Sequence, residues 1–181
     1  MAKLLVALAA LLAASPAPAD EKLWQLLKGG GQVVLIRHTI TTPGAGDPPG
    51  MRLDDCSTQR NLTDAGRAHA RRIGEAFRAR GIPVERVVSS PWCRCVETAK
   101  LAFGQAEISD ALGNLFGRPE NRERQVKEMR ALIAARQGQG NLVLVTHGST
   151  IVALTGVSPD TGEIVLFSQG AAAGRLSVPP G

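Results

Sequence analysis

The chain has 181 residues, 44% of them hydrophobic and 20% charged, which is enough for one domain with a sizeable core and too few for two. Only 3% are aromatic and none is tyrosine, so the stacking surface of a single-strand nucleic-acid binder is excluded. The formal charge of +5 contains no lysine or arginine block, which suits an anionic substrate better than a nucleic-acid track.

The first 24 residues, MAKLLVALAALLAASPAPADEKLW, combine a basic start (Lys3), an apolar run from Leu4 to Ala14, and Ala17-Pro18-Ala19. This pattern predicts a secretory signal over residues 1–19, cleaved before Asp20, with a single domain over 20–181. The alternative is a membrane anchor, but about 11 apolar residues fall short of the roughly 20 that span a bilayer. No later stretch is apolar enough to span. The expected location is therefore the bacterial periplasm, and removal of the leader lowers the charge to +4 because Lys3 is its only charged residue.

The three cysteines, Cys56, Cys93 and Cys95, match no zinc spacing, and no metal or cofactor is expected. In an oxidising compartment one disulfide is possible. Cys93 and Cys95 are too close for easy mutual bridging, so a bond would join Cys56 to one of them, with Cys93 favoured.

After the leader, VVLI at 33–36 reads as a buried strand that delivers Arg37 and His38 at its end. TTPGAGDPPG is a loop by its Gly and Pro content. A helix follows, with Thr63 as N-cap, Ala65, Ala68, Ile73, Ala76 and Phe77 on one face, and Gly81 as its stop. VERVVSS is a second strand, and CRCVETAKLAFG a helix running to Gly104. Residues 110–117 are irregular. Val126, Met129, Leu132 and Ile133 give a further helix, closed by the QGQG loop. NLVLVTHGST repeats the opening theme, an apolar strand delivering a histidine and then small polar residues that can start a helix. GEIVLF and GRLSV, joined through a Gly- and Ala-rich turn, predict a terminal antiparallel hairpin.

Strands alternating with helices imply an α/β fold, a mainly parallel sheet flanked by helices on both faces with the hairpin added. Ligands of such sheets sit at the carboxyl ends of the strands. Three strands here end on polar groups: Arg37 and His38, then Ser89 and Ser90 followed by Arg94, then Thr146 and His147. A parallel sheet brings those ends to one edge.

Two arginines and two histidines at one point make a cationic pocket with no carboxylate at its centre. Arginine's planar fork suits phosphate oxygens. Arg94 would stand in the first turn of its helix, where free backbone N–H groups also favour an anion. Either histidine could attack phosphorus, and the surrounding positive charge should depress its pKa and keep the attacking nitrogen unprotonated. Positive charge would also stabilise the transferring phosphoryl oxygens.

LIRHT, SSPWCRCVETA, VTHGS and RNLTDAGRAHA together resemble the histidine phosphatase superfamily, the phosphoglycerate mutase-like fold. That family carries Arg-His-Gly at its first strand end, Ser-x-x-x-Arg-x-x-x-Thr-Ala, a Leu-Thr-x-x-Gly-x-x-x-Ala helix and a later His-Gly. Ser90, Arg94, Thr98 and Ala99 keep the middle spacing, and the resemblance covers roughly residues 32–155. It implies that His38 is the phosphorylated nucleophile and that Arg37, Arg94 and His147 bind the phosphoryl group.

Thr39 stands where the family has glycine; its Cβ would narrow the room beside the nucleophile, or its hydroxyl would contact phosphate. Many members protonate the leaving oxygen with a carboxylate, in the region that here reads SDALGNLFG, where Asn114 stands. Asp47 leads the other candidates, Asp54, Asp55 and Glu163, because its Gly/Pro loop leaves the catalytic strand directly. A phosphohistidine or phosphoramidate would need no donor. Arg60, Ser90 and Trp92 are further candidates for substrate contact, although Arg60 suits a surface salt bridge and Ser90 local backbone satisfaction equally well. His69 reads as a packed or partly exposed helix residue, and RAHARR as a solvated helix face.

The expected function is an exported phosphatase acting on phosphomonoesters or phosphorylated protein side chains. Its rival is a phosphate- or sugar-phosphate-binding module that keeps the pocket without turnover. The expected partner is a phosphorylated small molecule or phosphoprotein.

Overall fold

A computed structural model describes residues 18–181. The expected leader falls almost wholly outside the described residues; α1 (Pro18–Lys28), a helix not read from the sequence, begins within its last two positions. Among the described residues no helix is long and apolar enough to cross a membrane.

Six strands form one sheet: β1 (Val33–Arg37), β2 (Val84–Ser89), β3 (Glu107–Ile108), β4 (Asn141–Thr146), β5 (Ile164–Ser168) and β6 (Ala171–Leu176). Their order is β3-β2-β4-β1-β5-β6. The first four positions pair in parallel, while β5 runs antiparallel to both β1 and β6. The helices between them are α2 (Asp64–Ala79), α3 (Cys93–Phe103), α4 (Arg122–Ala134) and α5 (Gly148–Thr155). The expected α/β architecture is the one observed, a mainly parallel sheet with a C-terminal antiparallel hairpin.

Alternation along the strands separates two cores. Val34, Ile36, Val87, Val143 and Val145 face Trp24, Ile73, Phe77 and Ala99 of α1, α2 and α3. Val33, Leu35, Val88, Leu142 and Leu144 face Met129, Ile151 and Leu154 of α4 and α5. A sheet covered on both sides explains why the strands read as continuous apolar runs. Each fully buried Val or Ile contributes about 1.5–3 kcal/mol of transfer free energy.

Two differences from the sequence reading have simple causes. The terminal hairpin turns on Gln169 and Gly170, both at positive φ, so Ala171–Gly174 belongs to β6 and not to the turn. The alanines misled because small residues are poor strand formers, and pairing to β5 overrides that preference. β3 is only two exposed residues held against β2, too short for any periodicity to show.

The start of α2 anchors the chain leaving β1. Thr63 is the N-cap, its Oγ1 accepting from Gly66 N–H at 3.0 Å, and its own N–H donates to Ile40 O at 3.0 Å. Gly66 is required here, since a Cβ would stand 2.0 Å from Ile40 O. The segment carrying His38 is thus pressed onto a helix end.

Candidate active site

The three strand ends expected to converge do so. Arg37 is in register with Thr146, and Ser89 with Val145. The ladder continues one residue past each strand, with His38 N–H donating to Thr146 O and Ser90 N–H to Val145 O, both at 2.9 Å. His38, Ser90 and His147 are therefore fixed by backbone hydrogen bonds and stand side by side.

The hydrogen bonds of the histidines decide their tautomers. Nδ1 of His38 lies 2.9 Å from Thr39 O, and a carbonyl only accepts, so Nδ1 carries the proton and Nε2 keeps its lone pair. Arg94 Nη2 donates to Nδ1 of His147 at 3.4 Å, which leaves the His147 proton on Nε2, 2.8 Å from Ser90 Oγ. The two rings are 5.5 Å apart between centroids. Burial above all, with the charges of Arg94, Arg37 and Arg60, pulls the His38 pKa down to about 3 against the opposing Thr39 carbonyl. His147 lies well below its ordinary value through burial, then through His38 and the same arginines. Both rings are neutral across the physiological range.

Three arginines surround this pair. Arg37 Nη1 donates to Pro159 O at 2.9 Å, and Gly148 lets it approach, since a Cβ there would be 3.3 Å from its Nε. Arg60 Nη1 donates to Thr41 Oγ1 at 2.7 Å and to Gly44 O at 3.1 Å. Arg94, wholly buried, forms a bidentate pair with Asp47 at 2.6 and 3.1 Å. The Nε–H of each of the three is buried and has no partner among the described residues. An unpaired buried donor costs about 1–3 kcal/mol, so an anion reaching these groups relieves a standing penalty. Burial, chiefly, and mutual repulsion lower the pKa of Arg37 and Arg60.

These groups floor a cavity of about 550 Å³, within the usual range for a small-ligand site. Its floor is Arg37, His38, Arg60, Arg94 and His147, and its apolar wall includes Leu115, Phe116, Val152 and Ala153. Among the described residues no carboxylate lines it. Four arginines, Arg122 being the fourth, and no anionic ligand make a poor donor set for a metal cation.

Several expected contacts are elsewhere. Thr39 is buried with its hydroxyl against Thr98 Oγ1 at 3.3 Å, so it neither narrows the cavity nor reaches phosphate. Ser90 holds His147 and stays out of the cavity. Trp92 packs edge-on against His147 and sends its indole N–H to Asp47 at 3.0 Å, one layer behind the wall. The first N–H of α3 does not await an anion, because Cys93 N–H donates to Gln59 Oε1 at 2.9 Å. Asn114 is in the wall, its Oδ1 accepting from Phe116 N–H and Ser149 Oγ.

Asp47 lacks the environment of a proton donor. Burial alone would raise its pKa, but Arg94, the Arg60 N–H and the Trp92 indole outweigh that and hold the carboxyl below its usual range. Asp54 pairs with exposed Arg52, Asp55 caps the turn at Cys56–Thr58, and Glu163 pairs with Arg175. His69 is buried and bonds Val178 O at 2.7 Å, away from the site.

Cys56 is joined to Cys93, tying the loop that carries Asp47 and Arg60 to the start of α3. Cys95 remains a buried thiol 3.5 Å from His147 Nε2, and burial pushes its pKa up to about 12. Pro159, Leu115, Phe116, Ser149 and Val152 were not read from the sequence as site residues. They belong to irregular segments or to one face of a short helix, where no motif marks them.

A family model described as the histidine phosphatase superfamily (branch 1) matches residues 33–112. Solved structures share the fold at low identity. The protein histidine phosphatase SixA complexed with tungstate is 20% identical, with 81% of this chain and 96% of that chain covered and a TM-score of 0.54. The alpha-ribazole phosphatase from Shigella flexneri is 16% identical over 78% of this chain and 93% of that one, with a TM-score of 0.56. The protein TTHB049 from Thermus thermophilus is 19% identical over 81% and 99%, also with a TM-score of 0.56. No curated protein matches the sequence.

Proposed function

We propose that the chain is a member of the histidine phosphatase superfamily, whose family model matches residues 33–112, and that it is an exported phosphatase working through phospho-His38 without a metal. One observation carries the reading: an unprotonated His38 Nε2 shares a cavity with four arginines, Arg37, Arg60, Arg94 and Arg122, and no carboxylate. Export is supported by the leader pattern of residues 1–19 and by the Cys56–Cys93 disulfide, a bond that persists in oxidising compartments.

In the first step the Nε2 lone pair of His38 forms a bond to phosphorus while the bond from phosphorus to the leaving atom breaks, and that atom takes the electron pair. Arg37, Arg60 and Arg94 neutralise charge on the phosphoryl oxygens. The proton on His38 Nδ1 stays on Nδ1, hydrogen-bonded to Thr39 O, which supports the positive charge that the ring acquires. Water then attacks phosphorus, the phosphorus–nitrogen bond breaks with its electron pair returning to Nε2, and phosphate leaves; the water gives up a proton to solvent, and the departed atom takes one from solvent. With no carboxylate to protonate the leaving atom, the site favours groups that depart unaided, such as an aryl oxygen or the imidazole of a phosphohistidine side chain. SixA is described as a protein histidine phosphatase, and that likeness supports the second choice.

The test is hydrolysis of 4-nitrophenyl phosphate and of a phosphohistidine peptide, in a chelator, by wild type and His38→Ala. Wild-type turnover should fall on the order of 10⁴-fold in the variant, because the nucleophile is lost. Wild type quenched in alkaline detergent should carry a phosphoryl group that is acid-labile and base-stable. If wild type binds phosphate but hydrolyses neither substrate, the chain is a phosphate-binding module, a reading that the missing acid also favours.

A further inference from the structure

The mechanism leaves one buried charge without a task. Asp47 accepts four hydrogen bonds: from Arg94 Nη1 at 2.6 Å and Nη2 at 3.1 Å, from Trp92 Nε1 at 3.0 Å, and from the Arg60 backbone N–H at 3.2 Å. Its side chain is only 8% exposed. It does not line the cavity that holds His38, whereas Arg94 does. It lines a neighbouring hollow, together with Pro48, Met51 and Arg118.

The geometry points to Asp47 as a positioning residue for phosphoryl binding: its carboxylate grips the end of the Arg94 guanidinium and turns the side edge, Nε with Nη2, towards the His38 cavity. A guanidinium presents two separate pairs of parallel donors, one at its end and one along its side. The end pair is taken by Asp47. Along the side, Nη2 gives its second N–H to Nδ1 of His147, a cavity residue, at 3.4 Å, and Nε–H is left without a partner among the described residues, so this edge faces the cavity.

Without this anchor Arg94 would be a buried cation held only by Arg60 O at 3.3 Å and a weak contact to a histidine. The same carboxylate also ties Trp92, which packs on His147, and the backbone of Arg60. One side chain thereby sets the relation between two of the four arginines that line the cavity. The competing role, a carboxylate sitting where phosphate must bind, would require substrate to break four hydrogen bonds, two of them with a cation.

The turnover part of the test rests on the phosphatase reading, but the binding part does not. Wild type and Asp47→Asn are compared on 4-nitrophenyl phosphate and phenyl phosphate, whose leaving phenols differ in acidity, and inorganic phosphate affinity is measured by calorimetry. An amide keeps the shape but sets an N–H against donors. The expected result is a fall in kcat/KM of about 10- to 100-fold, equal for the two esters, with phosphate binding weakened in parallel. A loss concentrated on phenyl phosphate with phosphate affinity unchanged would make Asp47 the acid and overturn the assignment. Tighter phosphate binding in the variant would make it a competitor for Arg94 and overturn it equally. A lowered Tm with kinetics and affinity intact would leave only a structural role and also overturn it; Asp47→Ser, which removes the charge without adding an amide donor, repeats the comparison should the amide variant misfold. If wild type hydrolyses neither ester, the phosphatase reading falls, and phosphate affinity alone still decides the role of Asp47.

Discussion

The floor of the cavity and its walls are held by different means. On the floor, His38 is set by a backbone bond that extends the β1–β4 ladder and His147 by its carbonyl, which accepts from Thr150 and Ile151 N–H at the start of α5, and each ring nitrogen facing the protein has a partner. The walls come from the loop before α2 and the irregular segment before α4, which meet where Phe116 packs on Gly46. The loop is secured by side chains: the Cys56–Cys93 bond, Gln59 on Cys93 N–H, and Asp47 on Arg94. The contrast teaches that chemistry is placed where the backbone is over-determined, and selectivity where a few side-chain ties can be exchanged.

That contrast can be broken, and the disulfide gives the largest expected effect. Replacing Cys56 and Cys93 by serine opens a loop of 37 residues' separation, a cost of about 4 kcal/mol on chain entropy, read by urea denaturation. KM should rise with kcat less affected, because the floor keeps its own bonds. Equal losses in both would mean that the floor depends on the loop.

The second effect concerns protons. A histidine of ordinary pKa would lose about thirtyfold of its neutral form at pH 5. With His38 pulled down to about 3 by burial and three arginines, kcat/KM should show no such acid limb above pH 5, measured against a substrate whose ionisation is known. Stability should run the other way. The unfolded chain takes up protons on these histidines near pH 6.5 and the folded one does not, so stability falls as pH drops below that point. Phosphate should restore part of it.

Ser90→Ala removes the acceptor of His147 Nε2–H and should lower kcat about tenfold, in steady-state assays, with KM little moved. The smallest effect belongs to the wall. Phe116 is 60% exposed, and Phe116→Ala should raise KM for an aryl phosphate about threefold while phosphate inhibition changes less. If Phe116→Ala instead matches Ser90→Ala in kcat, wall and floor are not separable.

The same division governs what could be read from the sequence. Arg37, His38 and His147 were legible because each ends or follows an apolar run, and a parallel sheet sends such ends to one edge. Arg94 was legible from its spacing to Ser90 and Thr98. Beyond the last paired residue the alternation of faces lapses, which is why Thr39, Ser90 and Trp92 read as substrate contacts when they hold the residues that line the cavity. Asp47 stands beside the cavity rather than in it, and its protonation state depends on four donors from three residues, which no local pattern encodes. Leu115 and Phe116 follow a stretch without period, so nothing in the sequence marked them as wall.

β4 lies between β1 and β2, although it is the last of the three to be synthesised. Until it inserts, Arg37 and Ser89 have no common neighbour, and more than 100 residues of chain separate the β1 and β4 partners. A chain cut before residue 141 therefore holds Arg37, His38, Arg60 and Arg94 without the strand that brings them together. Recovery of phosphate binding during refolding is expected to report the closing of this central gap.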